Sequence, residues 1–450
     1  MFKSINPYTN QEIATYPALS DEEMHTCVEQ SQEAYSSWGK QPLKDRCTLL
    51  NGAAAILREH KNRYALMITR EMGKPLSESE AEVEKCAWVC EYYAQHAEEF
   101  LKDKHIQTEA SKSYVRIEPL GCILAVMPWN FPFWQVFRFA APTLAAGNTA
   151  LLKHASNVMA CAYMIEEVFT LAGFPKYAFQ TLAINHEQTE VLIGREEVKA
   201  VSLTGSERAG VAVAQTAGKH LKKCVLELGG SNAFLVLADA DVELSVETAV
   251  KARMLNTGQS CIAAKRFIVV TDIYTQFMEQ FKQALRKLKY GNPEEASTDY
   301  GPMARQDLAE DLQDQLSESV AMGAKLVFGG KQEGAMHELS LLTGVKPGMP
   351  VFDEETFGPL VVVVKAQNES EAIQLAQQTK YGLGLSIFSR DTERAEDLVS
   401  MFEDGAVFIN ELVKSDPRLP FGGTKLSGYG RELSKEGILE FVNKKTVYIK

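Results

Sequence analysis

The chain has 450 residues, enough for two or three domains, and its 45% hydrophobic and 24% charged residues exclude a disordered protein. A formal net charge of −12 argues against a general nucleic-acid-binding protein, although a local basic pocket for a small anion remains compatible with it. Eight cysteines without a CxxC pair exclude a disulfide scaffold.

Targeting and membrane signals are missing from the sequence. The N-terminus lacks the apolar core of a signal peptide, and no apolar run approaches the ~20 residues that span a bilayer. We therefore expect a soluble, cytoplasmic protein with no membrane or nucleic-acid partner.

The first third of the chain has the period of amphipathic helices. Ser20 and Glu23 form a capping box, which predicts a helix from this point to about Trp38. Apolar spacing predicts a second helix around 49–57 and a third over about 78–101. Cys86 and Cys90 are four residues apart in the third helix, which we interpret as one helix face, and we predict no metal site.

From residue 121 onward, short β-rich runs alternate with helical stretches, which favours an α/β fold with parallel sheets. The first series of predicted strands is 121–127, 149–153, 179–182, 200–203 and 233–237, with helices at 158–172 and 187–194. The second series is 266–271, 325–328, 360–365, 385–388 and 406–409. We expect two α/β domains that divide near Gly229-Gly230. Two isolated strands, 113–117 and 444–449, pair either with each other or with another subunit.

A nucleotide site is expected at strand C-termini in such a fold, but the GxGxxG fingerprint is absent. Thr204-Gly205-Ser206 follows an apolar strand and opens a helical stretch. Its free N–H groups suit a pyrophosphate, while the alternative is an ordinary turn with a Ser or Thr cap.

Two residues are candidates for covalent chemistry. Cys261 follows the small polar loop Asn256-Thr-Gly-Gln-Ser, so it is either an accessible nucleophile or a small buried hydrophobic residue. Glu227 stands among apolar residues before Gly229-Gly230. It is either a buried general base with a raised pKa or a strand glutamate with its carboxylate in water.

Three further polar residues end predicted strands or precede turns. Asn130 lies between Pro128 and Pro132 and is either a rigid amide donor for an oxyanion or a turn cap. Lys153 contacts a ribose or phosphate, or is solvated. Glu355 precedes a sharp turn, where a solvated acid is the ordinary interpretation.

Taken in order, the motifs resemble the aldehyde dehydrogenase superfamily over essentially the whole chain. The motifs are Pro128-Trp-Asn-Phe-Pro132, Leu226-Glu-Leu-Gly-Gly230, Gly258-Gln-Ser-Cys261, Glu355-Thr-Phe-Gly-Pro359 and Pro420-Phe-Gly-Gly423. The resemblance implies a non-standard Rossmann-type cofactor domain (1–105 and 121–229), an α/β catalytic domain (230–425) and a β-strand oligomerisation arm (106–120 and 440–450). It also implies a homodimer or homotetramer.

The resemblance assigns catalytic roles. Cys261 attacks the aldehyde, and the oxyanion of the thiohemiacetal lies on the Asn130 amide and the Cys261 backbone N–H. Hydride passes to the nicotinamide, and Glu227 activates the water that hydrolyses the thioester. The cofactor-binding residues implied are Met127, Pro128, Trp129, Lys153, Ser156, Thr204, Gly205, Ser206, Leu228, Glu355 and Phe357.

Ser156 departs from many NAD-preferring members of the family, which carry a glutamate three residues after the lysine placed at 153. A glutamate there binds the ribose 2′-OH and repels a 2′-phosphate. We therefore expect NADP⁺ to be used at least as readily as NAD⁺.

Within the family, the chain is most similar to the succinate-semialdehyde dehydrogenases. Arg138 and Ser415 stand where related enzymes anchor the distal carboxylate. Some relatives carry a further arginine at the position of Leu255, and Arg418 or Lys414 would have to substitute for it in this chain. Some relatives also carry a second cysteine at the position of Ala263. The alternatives are glutarate semialdehyde, an uncharged or amine-derived aldehyde, or a catalytically silent protein of the same fold.

Overall fold

The computed structural model describes residues 1–450. The strands β1 to β22 span, in chain order, Phe2–Asn6, Gln11–Tyr16, Lys104–His105, Lys112–Pro119, Cys122–Met127, Thr149–His154, Phe179–Thr181, Val198–Thr204, Lys223–Glu227, Asn232–Val236, Ala264–Val270, Lys325–Phe328, Gln332–Glu333, Met336–His337, Ser340–Thr343, Leu360–Ala366, Tyr381–Gly382, Leu385–Phe388, Val407–Ile409, Thr424–Lys425, Gly428–Tyr429 and Val442–Ile449. The helices α1 to α15 span Asp21–Trp38, Leu43–Glu59, Lys61–Met72, Leu76–Leu101, Trp134–Ala146, Met159–Leu171, His186–Gly194, Glu207–Lys219, Val242–Met254, Thr271–Leu285, Gln306–Ala321, Pro350–Asp353, Glu369–Gln377, Thr392–Asp397 and Ser434–Ile438. Short 3₁₀ helices cover Leu255–Gly258 and Leu398–Met401.

The first large sheet has the strand order β21-β9-β8-β5-β6-β7, and all its strands except the short β21 are parallel. Alternate residues of β5 belong to different hydrophobic clusters, with Ile123 on one face and Leu124 on the other. Both faces are therefore buried, which explains the continuous apolar runs in the sequence. The order reverses between β5 and β8, where an α/β sheet opens a crevice for ligands.

The second large sheet has the order β12-β15-β16-β11-β10-β18-β19, in which β12 alone runs antiparallel to its neighbour. The chain passes from β9 of the first sheet to β10 of the second through Gly229-Gly230. The carboxyl end of β9 and the loop before β11 are thereby brought to the boundary between the two sheets.

A third sheet has the order β22-β4-β3. Strands β4 and β22 pair antiparallel from Lys112 with Ile449 to Pro119 with Val442. Of the two pairings that the sequence left open for these strands, the structure contains the one within the chain. Strand β22 remains an edge strand with one unpaired side.

The ten strands predicted from residue 121 onward are all present, but the strand predicted at 233–237 is β10 of the second sheet and not a member of the first. The capping box of Ser20 and Glu23 is present at the start of α1, whereas several helices, among them α3 and α9, were not predicted. The sequence analysis missed α5, because all of its residues are buried and it therefore has no polar face to set a helical period. No helix has both the length and the apolar character needed to cross a bilayer.

Candidate active site

Two cavities meet at Cys261, one on each side of its loop. The first, of about 690 Å³, is bounded by α4, α5 and the loop 412–415, and its polar lining residues include Lys85, Arg138 and Ser415. The second, of about 720 Å³, lies at the carboxyl ends of β5, β8 and β9. Cys261 lines both cavities, so a group in either one reaches the same sulfur atom.

The backbone before Cys261 is strained. Asn256, Thr257 and Gly258 all have positive φ angles, of 57°, 56° and 76°. A β-branched residue such as threonine rarely adopts this conformation, which persists only where the surroundings enforce it. At Gly258 a side chain would collide with the backbone of Gly358, so glycine is required there.

Side chains from distant parts of the chain hold this strained loop. The Glu78 carboxylate accepts a hydrogen bond from the Asn256 N–H at 2.7 Å. The Asn256 side chain donates to the Asn130 carbonyl at 2.6 Å and to the Gln259 carbonyl at 3.0 Å. The Gln259 Oε1 atom accepts from the Ala304 N–H at 2.9 Å. The loop is therefore preorganised before any ligand binds.

A buried lysine also supports the loop and a buried arginine binds the segments beside it, and the sequence analysis missed both. Lys265 donates to the Ser260 carbonyl at 2.8 Å, the Cys261 carbonyl at 2.7 Å and the Glu355 carboxylate at 2.9 Å. Arg253 donates to the Ala264 carbonyl at 3.2 Å. The sequence did carry a signal for Lys265, because it stands at the start of the apolar strand β11. A lysine buried in such a strand needs a hydrogen-bond or ion-pair partner.

The Cys261 thiol is protonated at neutral pH when no ligand is bound. Burial raises its pKa to about 11, against the opposing charges of Lys265 and Arg138. The Cys261 backbone N–H donates to no acceptor within the protein. The sulfur thus needs a base to form its reactive thiolate, and the free N–H is available to an oxyanion.

Glu227 lies in the second cavity, near the thiol. Its side chain is buried, and neither carboxylate oxygen has a hydrogen-bond partner. Burial raises its pKa well above the usual range, and the charge of Arg138 only partly offsets the shift. Of the two interpretations of Glu227, the structure supports the buried carboxylate, an uncommon state for an acid with no partner.

Asn130 is buried beside the cysteine loop, and its Nδ2 atom donates to the Gln259 carbonyl at 3.1 Å. An amide nitrogen has two hydrogens, so one N–H remains for a ligand. Asn130 lines the second cavity together with Glu227 and Cys261. The three residues that the motifs singled out therefore lie in one place.

Arg138 and Ser415 both line the first cavity. The surroundings of Arg138, however, differ from those expected of an anchor for the substrate carboxylate. The Arg138 guanidinium forms a buried ion pair with Glu432 and donates to Thr204 Oγ1 at 3.2 Å. The charge of Arg138 is therefore already neutralised. Ser415 Oγ accepts a hydrogen bond from Nζ of a second cation, Lys85, at 2.9 Å.

Most of the residues expected to bind the cofactor line the second cavity. They are Pro128, Trp129, Thr204, Gly205, Ser206, Leu228, Glu355 and Phe357. Met127 lies outside this lining, with its side chain buried in the core of the domain. The sequence analysis expected the Gly205 N–H to be free for a pyrophosphate. In the structure it donates a hydrogen bond to the Glu227 carbonyl at 3.0 Å, so this part of the expectation is wrong.

Lys153 lies near the carboxyl end of β6, and Ser156 follows two residues after this strand. Neither residue lines the second cavity, and Ser156 lines a separate cavity that is bordered by the N-terminal residues Ile5 and Pro7. Lys153 is buried without an ion pair, and burial lowers its pKa. Its charge and that of Arg208 both lower the pKa of His186, which places three basic groups close together. A buried cation without a partner favours an anionic ligand at this position.

The thiol of Cys261, the unpartnered carboxylate of Glu227 and the amide of Asn130 lie together at the boundary of two sheets. This arrangement defines an α/β protein with a candidate active site for cysteine chemistry. The sequence profile described as "Aldehyde dehydrogenase family" matches residues 1–447. The chain belongs to the aldehyde dehydrogenase family, as its motifs predicted.

Relatives within the family are similar over their whole length. A Synechocystis protein named "Probable succinate-semialdehyde dehydrogenase [NADP(+)]" is 48% identical, with 99% of each chain covered. A Deinococcus radiodurans protein named "Succinate-semialdehyde dehydrogenase [NADP(+)]" is 42% identical, covering 99% of this chain and 94% of the relative. The crystal structure of succinic semialdehyde dehydrogenase from Streptococcus pyogenes in complex with NADP⁺ matches with a TM-score of 0.98 at 38% identity, covering 100% of both chains.

Proposed function

We propose that this protein oxidises succinate semialdehyde to succinate with NADP⁺, and with NAD⁺ as the less favoured cofactor. The observation that carries the proposal is the position of Cys261 between two cavities, of which the first is lined by basic side chains and the Ser415 hydroxyl. A cation with a neighbouring hydroxyl suits an aldehyde that bears a distal carboxylate. The names of the similar proteins support the same substrate and cofactor.

The residues of the second cavity fit a dinucleotide. Glu355 accepts from the Gly230 N–H at 3.0 Å and from Lys265 at 2.9 Å through one oxygen, which leaves Oε2 for a ribose. A side chain at position 229 would collide with that oxygen, so Gly229 keeps the carboxylate in the cavity. Lys153 and Ser156 would hold the adenosine ribose and its 2′-phosphate. When bound, the cofactor supplies the oxidant, which accepts a hydride from the substrate carbon.

The first half of the reaction needs a thiolate. Because the Cys261 thiol is protonated, we infer that the ionised Glu227 carboxylate takes its proton, directly or through a water molecule. The sulfur then attacks the aldehyde carbon and gives a thiohemiacetal. Its oxyanion accepts hydrogen bonds from the free Cys261 N–H and from the second N–H of Asn130. The strained loop fixes both donors before the substrate binds.

The second half hydrolyses the thioester that remains on Cys261 after oxidation. Glu227 lines the cavity on the same side as the sulfur and has no competing hydrogen bond. Glu227 first releases the proton of the thiol to solvent, and its raised pKa then makes the ionised carboxylate a stronger base for a water molecule. Attack by this water breaks the carbon–sulfur bond and releases succinate and the thiol.

The proposed function is tested with a panel of aldehydes, followed by the absorbance of the reduced cofactor. We expect the highest kcat/KM with succinate semialdehyde, a lower value with glutarate semialdehyde, and much lower values with butanal, benzaldehyde and 4-aminobutanal. Equal or higher kcat/KM with the neutral or amino aldehydes would contradict the proposed substrate but not the proposed chemistry of Cys261.

Replacing Ser156 by glutamate is expected to lower kcat/KM with NADP⁺ roughly 100-fold, because a carboxylate would face the 2′-phosphate. NAD⁺ should be used at least as well as before. Ser156→Ala is the matched control and should retain the preference for NADP⁺. Binding of each cofactor, measured by quenching of tryptophan fluorescence, gives the same comparison without turnover. Unchanged NADP⁺ affinity in Ser156→Glu would refute this placement of the phosphate.

The three-stranded sheet supports an oligomerisation arm. Strand β22 leaves its outer edge unpaired and carries the exposed side chains of Tyr448 and Ile449. An open strand edge with apolar side chains is a ready surface for a second copy of the chain. We therefore propose a homodimer or homotetramer that is joined through this arm.

A further inference from the structure

The first cavity contains a cation that no family motif marked. Lys85 is in α4, and its Nζ atom donates to Ser415 Oγ at 2.9 Å. The same Nζ lies 4.1 Å from the centre of the Trp134 ring. Lys85, Trp134 and Ser415 all line this cavity together with Cys261.

Lys85 has no carboxylate of its own. The nearby Glu82 is paired with Lys74 and accepts hydrogen bonds from the backbone N–H groups of Phe133 and Trp134 at the start of α5. Asp416 binds Arg418 through both oxygens, at 2.9 and 2.7 Å. The ammonium is therefore an uncompensated charge, which is costly in a partly buried site unless a ligand supplies the anion.

The hydrogen bonds of Ser415 point to the same ligand. A hydroxyl group has two acceptor sites and one hydrogen. Ser415 Oγ accepts from Lys85 Nζ at 2.9 Å and from Trp134 Nε1 at 3.1 Å, which uses both acceptor sites. The hydroxyl hydrogen then has no acceptor within the protein. Together with the remaining N–H groups of Lys85 it forms a pair of donors that matches a carboxylate.

The other basic residues near this cavity are already paired. Arg138 is bound to Glu432. Lys414, which also lines the cavity, binds Glu411 at 2.9 Å and is half exposed. Arg418, engaged by Asp416, lies outside the lining of the cavity.

Resting on the function proposed above, we propose that Lys85 and Ser415 together bind the distal carboxylate of the substrate. Lys85 then determines specificity for ω-carboxylated aldehydes. Arg138 is a positioning residue that acts through its ion pair with Glu432. This assignment supplies the cation that the leucine at position 255 does not.

The test compares succinate semialdehyde with butanal, which has the same carbon chain without the carboxylate. In Lys85→Met we expect kcat/KM for succinate semialdehyde to fall roughly 30- to 1,000-fold, because one partner of a desolvated charge pair is removed. The loss should appear mainly in KM, while kcat/KM for butanal should stay within about threefold. Lys85→Arg should recover part of the loss.

Arg418→Met removes a neighbouring cation that lies outside the cavity and should change neither substrate by more than about threefold. Arg138→Met should lower activity with both substrates, since it frees the buried Glu432. An equal loss on both substrates in Lys85→Met, or no loss on either, would overturn the proposal. If the unmodified protein itself does not prefer succinate semialdehyde to butanal, the proposed function fails instead.

The pH dependence gives an independent readout. Burial and the charge of Arg138 lower the pKa of Lys85 to about 8, against the smaller opposing effects of Cys86, Asp416 and Glu82. The cation is present below this pKa and is lost above it. The preference for succinate semialdehyde over butanal should therefore fall as the pH rises through about 8, whereas ionisation of the cysteine affects both substrates alike. In Lys85→Arg the preference should not fall in this range, and an identical fall there would contradict the role of Lys85.

Discussion

Replacement of Cys261 by alanine is expected to lower dehydrogenase turnover by at least about 10⁴-fold, because the thiolate proposed to form the covalent intermediate is lost. Cys261 is one of two cysteines that are not fully buried and lines both cavities. The variant should still bind NADP⁺, which separates loss of chemistry from loss of folding. Turnover is measured with succinate semialdehyde, and cofactor affinity by fluorescence.

Cys27→Ala is the matched control, since Cys27 is the other half-buried cysteine. It should retain normal activity, and alkylation by iodoacetamide in the unmodified protein should inactivate only through Cys261. The pKa of Cys261, raised to about 11, predicts that the rate of alkylation increases with pH across the neutral range. Substantial turnover in Cys261→Ala would refute covalent catalysis by this residue.

Replacement of Glu227 by glutamine is expected to separate the two halves of the reaction. Steady-state turnover should fall roughly 10²- to 10⁴-fold, because the base proposed to activate water is lost. One equivalent of reduced cofactor per active site should still form, more slowly if Glu227 also takes the thiol proton. Stopped-flow absorbance measures this burst, and intact-protein mass spectrometry should detect the succinyl adduct on Cys261.

Glu432→Gln provides the comparison for this experiment. Glu432 is buried and pairs with Arg138, but it lines neither of the two cavities. Its loss should impair both phases together without accumulation of the adduct. In the unmodified protein, hydrolysis should become faster as the pH rises through the raised pKa of Glu227, since only the ionised carboxylate is a base. A Glu227→Gln variant that turns over normally and accumulates no adduct would remove Glu227 from the mechanism.

Part of the fold and site could be predicted from the sequence because the relevant signals are local. The Ser20–Glu23 capping box, the apolar runs of the strands and the small polar loop before Cys261 are each formed by neighbours in the chain. The order of the motifs identified the family and, with it, Cys261, Glu227 and Asn130. Helix α5 escaped prediction because a helix that is buried on all sides has no period.

By itself, then, the sequence determined the α/β class, ten strands of the two large sheets and, through the family resemblance, the candidate residues Cys261, Glu227 and Asn130. Only the tertiary structure decided which charges are paired and which are free. Lys85 and Ser415 are 330 residues apart in the chain, and Arg138 and Glu432 are also far apart in the chain. Burial and ion pairing depend on such long-range contacts, so no local pattern distinguishes the neutralised arginine from the lysine that has no ion pair.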